Sequence, residues 1–288
     1  MFYVRMCYDI TTLIFYVLKM KDTYFCGMEN WMVYKNTRVA YYCYGEGTKT
    51  LVLLHGFLEN SSMWKSLVNE FSNEFRVISI DLLGHGKSEC LGYVHTIEEI
   101  AESVKAVLTK EQENKAIFVG HSMGGYVALA LAEKYPKIIE KLCLLNSTAQ
   151  PDSEERKMIR DRAIQMAKTN YKALVSMSIS NLFSSETSSE FTAEIAECRI
   201  EALKTSVQGY IACAEGMKHR KNREHVLKSE AYESLLITGK KDPVLVYENS
   251  VAEANRTQTP IVELSNGHMS HIENKKELLI SLRDFIHS

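Results

Sequence analysis

No segment of this sequence stays apolar for the roughly 18 consecutive residues that a membrane-spanning helix requires. The run Leu13 to Leu18 (LIFYVL) is far shorter. It also makes a poor export signal, because Asp9 precedes it and Lys19, Lys21 and Asp22 follow it without a small-residue cleavage site. No stable membrane span is therefore expected. Large charge of either sign is missing as well. The formal net charge is −2, which gives no sequence-wide attraction to nucleic acid or to an anionic membrane and leaves a small molecule as the expected partner. A cysteine framework is also lacking. Cys7, Cys26, Cys43, Cys90, Cys143, Cys198 and Cys213 are scattered, odd in number and contain no C-x-x-C pair, a usage that fits reduced thiols in the cytoplasm. His268, His271 and Glu273 have no companion ligand group at a metal-binding spacing, so no metal is expected. The glycines between Asp81 and Ser88 lack the spacing of a phosphate-binding loop and read as a structural turn. Nothing calls for a cofactor, and no internal repeat is visible.

What is present is an ordinary globular composition, 45% hydrophobic and 24% charged, over 288 residues. That length suits one large α/β domain with an insertion. From Trp31 onward, short β-rich runs alternate with helical ones. Trp31 to Lys35 and Thr37 to Tyr44 read as an antiparallel pair around Asn36. Thr50 to Leu54 and Arg76 to Ile80 are continuous apolar strands of the buried parallel type. Ser61 to Phe71 and Ile97 to Leu108 read as helices, and Ala116 to Val119, Lys141 to Leu145, Ser234 to Thr238 and Pro260 to Leu264 as further strands, with Lys276 to Ile286 as the last helix. Cys43 and Cys143 fall inside expected strands and read as small core residues. The alternation implies a mostly parallel sheet with helices on both faces, and ligands in such sheets bind at the carboxyl ends of the strands.

The expected organisation has residues 28–146 and 228–288 forming the core, with 147–227 as a helical lid inserted between two strands. The lid region carries helical runs at Glu154 to Lys168 and Ala193 to Gly216. The basic run His219 to Arg223 (HRKNR) reads as a solvated helix end, with anion binding as the alternative. Met20, Met28 and Met32 are all candidate starts, and residues 1–27 read as a leader outside the catalytic fold.

Five polar signatures sit at strand ends: His55-Gly56-Phe57, Asp81, Ser122, Asp242 and His268. Among them, Gly120-His121-Ser122-Met123-Gly124 follows an apolar strand and opens a helical run. A serine between a strand and a helix needs a very tight turn, and Gly120 and Gly124 supply the clearance for backbones to pass. Such a turn lifts the hydroxyl above the sheet edge and sets it at a helix N-terminus, which favours developing negative charge. The plainer alternative is a Gly/Ser connection. A serine hydroxyl needs a base to take its proton, and a histidine needs a carboxylate to fix its tautomer. His268, close to the end of its strand, is preferred as base over His271. Asp242, in the loop after Thr238, is preferred as the carboxylate over Asp152.

The motifs LVLLHGF, DLLGHGKS, GHSMGG, GKKD and GHMSHIE resemble those of α/β-hydrolase fold proteins, from about Trp31 to the C-terminus, and the chain order Ser, Asp, His is that of the family. The lid segments NSTAQPDSEERKMIRDR and GMKHRKNR are similar to those of small esterase and perhydrolase-like members. The resemblance implies Ser122 as nucleophile, His268 as base, Asp242 as acid, and an oxyanion hole formed by the backbone N–H groups of Phe57 and Met123. It implies a hydrolase of small carboxylic esters or thioesters. Carbon–carbon hydrolases or lyases of the same fold, and ligand receptors with little turnover, stand as alternatives. Serine at position 122 argues against a haloalkane dehalogenase, whose family uses aspartate there. His55 and His121 read as loop supports. Trp64, Met123 and Tyr126 are candidates to line an acyl pocket, with helix packing an equal alternative for Trp64 and Tyr126.

Overall fold

The computed structural model describes residues 27–288. The expected leader, including LIFYVL, lies outside the described residues except for Gly27. Eight strands form one sheet: β1 (Met28–Tyr34), β2 (Thr37–Tyr44), β3 (Thr50–Leu54), β4 (Arg76–Ile80), β5 (Ala116–His121), β6 (Ile139–Leu145), β7 (Glu233–Gly239) and β8 (Ile261–Leu264). Their order is β1-β2-β4-β3-β5-β6-β7-β8. The β1–β2 hairpin turns at Lys35 and Asn36, both at positive φ (47° and 63°), as a two-residue hairpin that follows the twist of its strands requires. β2 pairs antiparallel with β4, and from β4 to β8 all pairings are parallel.

All five residues of β3 are buried, as expected for a strand covered on both faces. The pleat divides the strands' side chains between two cores. Val52, Leu54, Ile78, Ile80 and Phe118 point to one face, where they meet α2 (Ile97–Lys110) and α3 (Met123–Lys134). Leu51, Leu53, Val77, Ile117 and Val119 point to the other, against α1 (Lys65–Phe71) and α11 (Lys275–His287). α11 contributes Leu278, Leu282 and Ile286 from one stripe, each worth about 1.5–3 kcal/mol when fully buried. α3 is buried along most of its length, so it lacks the polar face that α2 keeps. α2 starts at a Thr96 cap, whose side chain accepts from Glu99 N.

Between β6 and β7 the chain forms α4 (Glu154–Ala167), α5 (Tyr171–Ser180), α6 (Thr192–Ala202), α7 (Val207–Lys218) and α8 (Glu224–Leu227). A third apolar cluster joins Ile164, Leu174, Ile179, Tyr210 and Ala214 of these helices to Leu58 and Met269, which lie in the loops after β3 and β8. The insertion thus sits over the carboxyl ends of those strands. After β7 come α9 (Tyr247–Thr257) and, after β8, the short α10 (Ser270–Glu273). No helix among the described residues is long and apolar enough to cross a membrane.

Three expectations are corrected here. The single helical run over Ala193 to Gly216 is two helices, because Ser206 caps α7 by accepting from Gly209 N at 3.0 Å and the chain turns just before it. The helix expected from Ser61 begins as a 3-10 turn, Ser61–Trp64, capped by Asn60, and becomes α-helical only at Lys65. The HRKNR run is a solvated helix end only in part: His219, Lys221 and Asn222 are exposed, but Arg220 and Arg223 are buried. Arg223 is 2% exposed and pairs with Glu98 and Glu133, while buried Arg220 pairs with Asp152. Acidic partners on distant elements make burial of these two guanidiniums affordable. α5 and α9 had no counterpart in the sequence reading.

Candidate active site

Ser122 occupies the turn between β5 and α3 with φ 48° and ψ −113°, a conformation that L-residues adopt only under strain. Two anchors hold it there. Ser122 N donates to Leu145 O at 3.0 Å, tying the turn to the end of β6, and Ser147 Oγ donates to Ser122 O at 2.7 Å. The flanking glycines are required by contact. A Cβ on Gly124 would lie 2.1 Å from Leu54 O, and one on Gly120 would lie 2.5 Å from Gly124 O. The Ser122 hydroxyl is engaged by no hydrogen bond among the described residues.

His268 and Asp242 converge on the same strand ends. His268 Nδ1 lies 2.7 Å from Asp242 Oδ2, and both groups are buried. The proton on Nδ1 is assigned from this contact: with Nδ1–H donating to the carboxylate, Nε2 is the ring's acceptor. Asp242 also accepts from Val244 N (2.7 Å), Leu245 N (3.0 Å) and Asn146 Nδ2 (3.1 Å). Burial raises the Asp242 pKa and is the largest single influence. The His268 ring and the two backbone donors outweigh it, and the carboxyl ends below its ordinary value. His271, the competing histidine, lies in α10 away from Asp242, and burial pushes its pKa down to about 4. Asp152, the competing carboxylate, is committed to Arg160 and Arg220.

Ser122 and His268 line one cavity of about 390 Å³, together with Phe57, Tyr126, Arg156 and Leu174. The N–H groups of Phe57 and Met123 have no hydrogen-bond partner among the described residues. The Phe57 ring packs on Tyr210 with centroids 4.9 Å apart. Met123 itself is fully buried in the core beneath the turn, so only its backbone belongs to the site. Tyr126 borders the cavity, and its ring carries the Arg220 guanidinium at 4.1 Å. Trp64 is placed otherwise than the acyl-pocket expectation. Its indole is 0% exposed, packed with Leu67, Phe71 and Leu278 between the sheet and the helices on the opposite face, because the 3-10 turn directs it inward.

Sequence reasoning missed Glu59. Its Oε2 accepts from Gly56 N (2.6 Å) and from His121 Nδ1 (2.7 Å), while His121 Nε2 donates to His268 O at 3.0 Å. Burial pushes the Glu59 pKa up, but the His121 charge and hydrogen bond, with His271 and His55 beyond, bring it down to about 2. The same pairing overcomes the effect of burial on His121 and raises its pKa. Nδ1 of His121 faces a carboxylate oxygen and Nε2 a carbonyl oxygen, and the protonated ring, with a donor on each nitrogen, satisfies both acceptors. The heads of Glu59, His121 and His271 lie within 4.8 Å of one another, with His121 Nδ1 turned to Glu59 and Nε2 to His268 O. His55 supports the loop after β3, with Nδ1 2.7 Å from Gly56 O and Nε2 accepting from Leu82 N. Asp81 accepts from Ser61 N and Lys87 N, which bears out the structural turn. The only sequence signals for Glu59 and Asn146 were polar residues next to strand ends, without a spacing rule to single them out.

Residues 49–275 match the alpha/beta hydrolase fold family, and the chain belongs to that family. Among solved structures, it is similar to a thermophilic esterase from Thermogutta terrifontis with malate bound, at 28% identity and TM-score 0.83, covering 90% of this chain and 98% of that one. It is also similar to the enol-lactonase of Burkholderia xenovorans LB400, at 25% identity and TM-score 0.83, covering 90% and 100% of the two chains. Matches to curated relatives are local. The chain is 33% identical over 112 residues to epoxide hydrolase 4 of Mus musculus, covering 38% of this chain and 31% of that protein. It is 36% identical over 110 residues to the pimeloyl-[acyl-carrier protein] methyl ester esterase of Hamiltonella defensa, covering 38% and 40%.

Proposed function

We propose that the protein is a serine hydrolase acting on small carboxylic esters or thioesters through an acyl-enzyme intermediate. The observation that carries this reading is the strained Ser122 lining a cavity that it shares with a histidine whose other ring nitrogen is held by a buried carboxylate. In the proposed cycle, Ser122 Oγ attacks the ester carbonyl as His268 Nε2 takes its proton, and Asp242 stabilises the imidazolium that forms. The tetrahedral oxyanion rests on the Phe57 and Met123 N–H groups, a donor of this kind being worth about 2.7–4 kcal/mol. His268 then protonates the leaving alcohol or thiol and activates water, which releases the acid and restores Ser122. The insertion over residues 147–227 acts as the lid, and Tyr126 forms part of the acyl pocket wall. Esterase and lactonase neighbours over nearly the whole chain support acyl chemistry.

The test is steady-state hydrolysis of p-nitrophenyl esters from acetate to long acyl chains, with Ser122→Ala as control. Multiple turnover that falls by several orders of magnitude in Ser122→Ala is the expected result. Near-normal turnover by that variant would sink the mechanism. Folded protein labelled at Ser122 by a fluorophosphonate, yet without turnover, would point instead to carbon–carbon chemistry or a receptor role.

A further inference from the structure

Helix α4 turns one stripe toward the cavity: Arg156, Ile159, Arg160 and Ala163, spaced as one face of a helix requires. Two guanidiniums therefore face the space that holds Ser122 and His268. Arg160 is neutralised. It pairs with Asp152, whose side chain is 1% exposed, and Arg220 takes the other oxygen of the same carboxylate. Arg220 is held further by Gln150 O and Met217 O and by stacking on Tyr126. One carboxylate thus serves two guanidiniums, and all of its hydrogen bonds go to those two.

Arg156 is the third guanidinium. Its guanidinium forms no ion pair or hydrogen bond with any described residue, although it is half-buried and borders both the main cavity and an adjoining one. Three guanidiniums against one carboxylate leave two positive charges beside the site. The other carboxylate bordering the main cavity, Glu59, pairs through Oε2 with His121 and Gly56 N, and neither of its oxygens bonds a guanidinium. Glu155 borders the adjoining cavity, where it is exposed. Burial first, and then Arg160 and Arg220, hold the Arg156 pKa below its ordinary value, as expected of a charge removed from water beside its like. An arriving carboxylate would relieve both penalties, and its two oxygens match the planar fork of a guanidinium.

We infer that Arg156 is a substrate-binding residue, and that the ester hydrolysed at Ser122 carries a carboxylate, remote from the scissile bond, that pairs with the Arg156 guanidinium. This rests on the serine-hydrolase reading for the reaction, but the anion site itself stands on the charge arrangement alone.

The experiment compares the monomethyl esters of succinic through suberic acid, each against the methyl ester of the matching monocarboxylic acid, by proton release. In the wild type, the half-ester of one or more lengths should be preferred in kcat/KM by about tenfold or more, and Arg156→Gln should lower that preference by about tenfold, mainly through KM. Arg156→Lys should keep part of the preference. Arg162→Gln removes the same charge from an exposed position of the same helix, and should leave the preference as it is in the wild type. Preference for the neutral ester at every length, an unchanged ratio in Arg156→Gln, or an equal loss in Arg162→Gln would overturn the inference. Calorimetric titration with adipate separates the two readings. Adipate binding weakened about tenfold by Arg156→Gln, with neither ester series turned over, would keep the anion site and reject ester hydrolysis. Ester turnover without any dependence on Arg156 would reject the anion site and keep the hydrolase.

Discussion

Replacing Glu59 by glutamine keeps the shape of the side chain and a hydrogen-bonding group beside His121, so what it removes is charge. The Glu59 pKa falls from 4.5 to about 2 in the fold, which at about 1.36 kcal/mol per pH unit corresponds to roughly 3 kcal/mol of stability. The rise at His121 reports the same interaction and is not added to it. Breaking a buried pair by removing one partner typically costs about 3–5 kcal/mol, in agreement with that figure. The pH dependence follows from the two directions. A depressed carboxyl contributes stability that is present above its unfolded value of 4.5 and lost as pH falls toward about 2. A raised histidine contributes stability that is present below its unfolded value of 6.5 and lost as pH rises through its folded value. The wild-type advantage should therefore be full between 4.5 and 6.5 and narrow on either side. Urea unfolding of wild type and Glu59→Gln at about pH 5.5 and about pH 9 measures it. Turnover should drop as well, because a neutral His121 cannot donate to both position 59 and His268 O. A difference below about 0.5 kcal/mol at pH 5.5, or one that grows with pH, would refute the reasoning.

Asp242→Asn should lower kcat by about 10⁴-fold by holding His268 in the wrong tautomer, with little change in KM. Since Asp242 sits below its ordinary 3.8, no inflection above that value in the wild-type kcat/KM profile should belong to it, and a pH–rate profile checks this. Gly124→Ala would drive a methyl group to 2.1 Å from Leu54 O, which is main chain at the end of β3. It should cost about 1–3 kcal/mol in urea unfolding and reduce turnover beyond that, because the displaced segment leads to the Phe57 amide. Equal activity and stability in this variant would show that the turn can yield.

Much of the molecule was legible because it depends on neighbours in the chain. The apolar runs of β3 and β4 match the observed strands residue for residue, since strands buried on both faces leave no polar alternation to confuse. The turn at Ser122 was legible because glycines two residues either side of it relieve contacts made by the turn itself. His268 rather than His271 followed from distance to the strand end, and it is His268 Nδ1 that meets Asp242. Other features depend on residues far apart in sequence. The Glu59–His121 pair spans 62 positions, and the Asn146 contact to Asp242 spans 96. Trp64 looked like a pocket residue because its type suits either role, and only the 3-10 turn at its position directs it into the core. HRKNR looked solvated because its partners Glu98, Glu133 and Asp152 lie on other elements. The sequence by itself determined which residues can do chemistry and at which strand ends they stand, because periodicity and turn sterics are local. Tertiary structure alone decided which charges are neutralised and which, like Arg156, are left facing the cavity, because electrostatic pairing depends on distance in space and not on order along the chain.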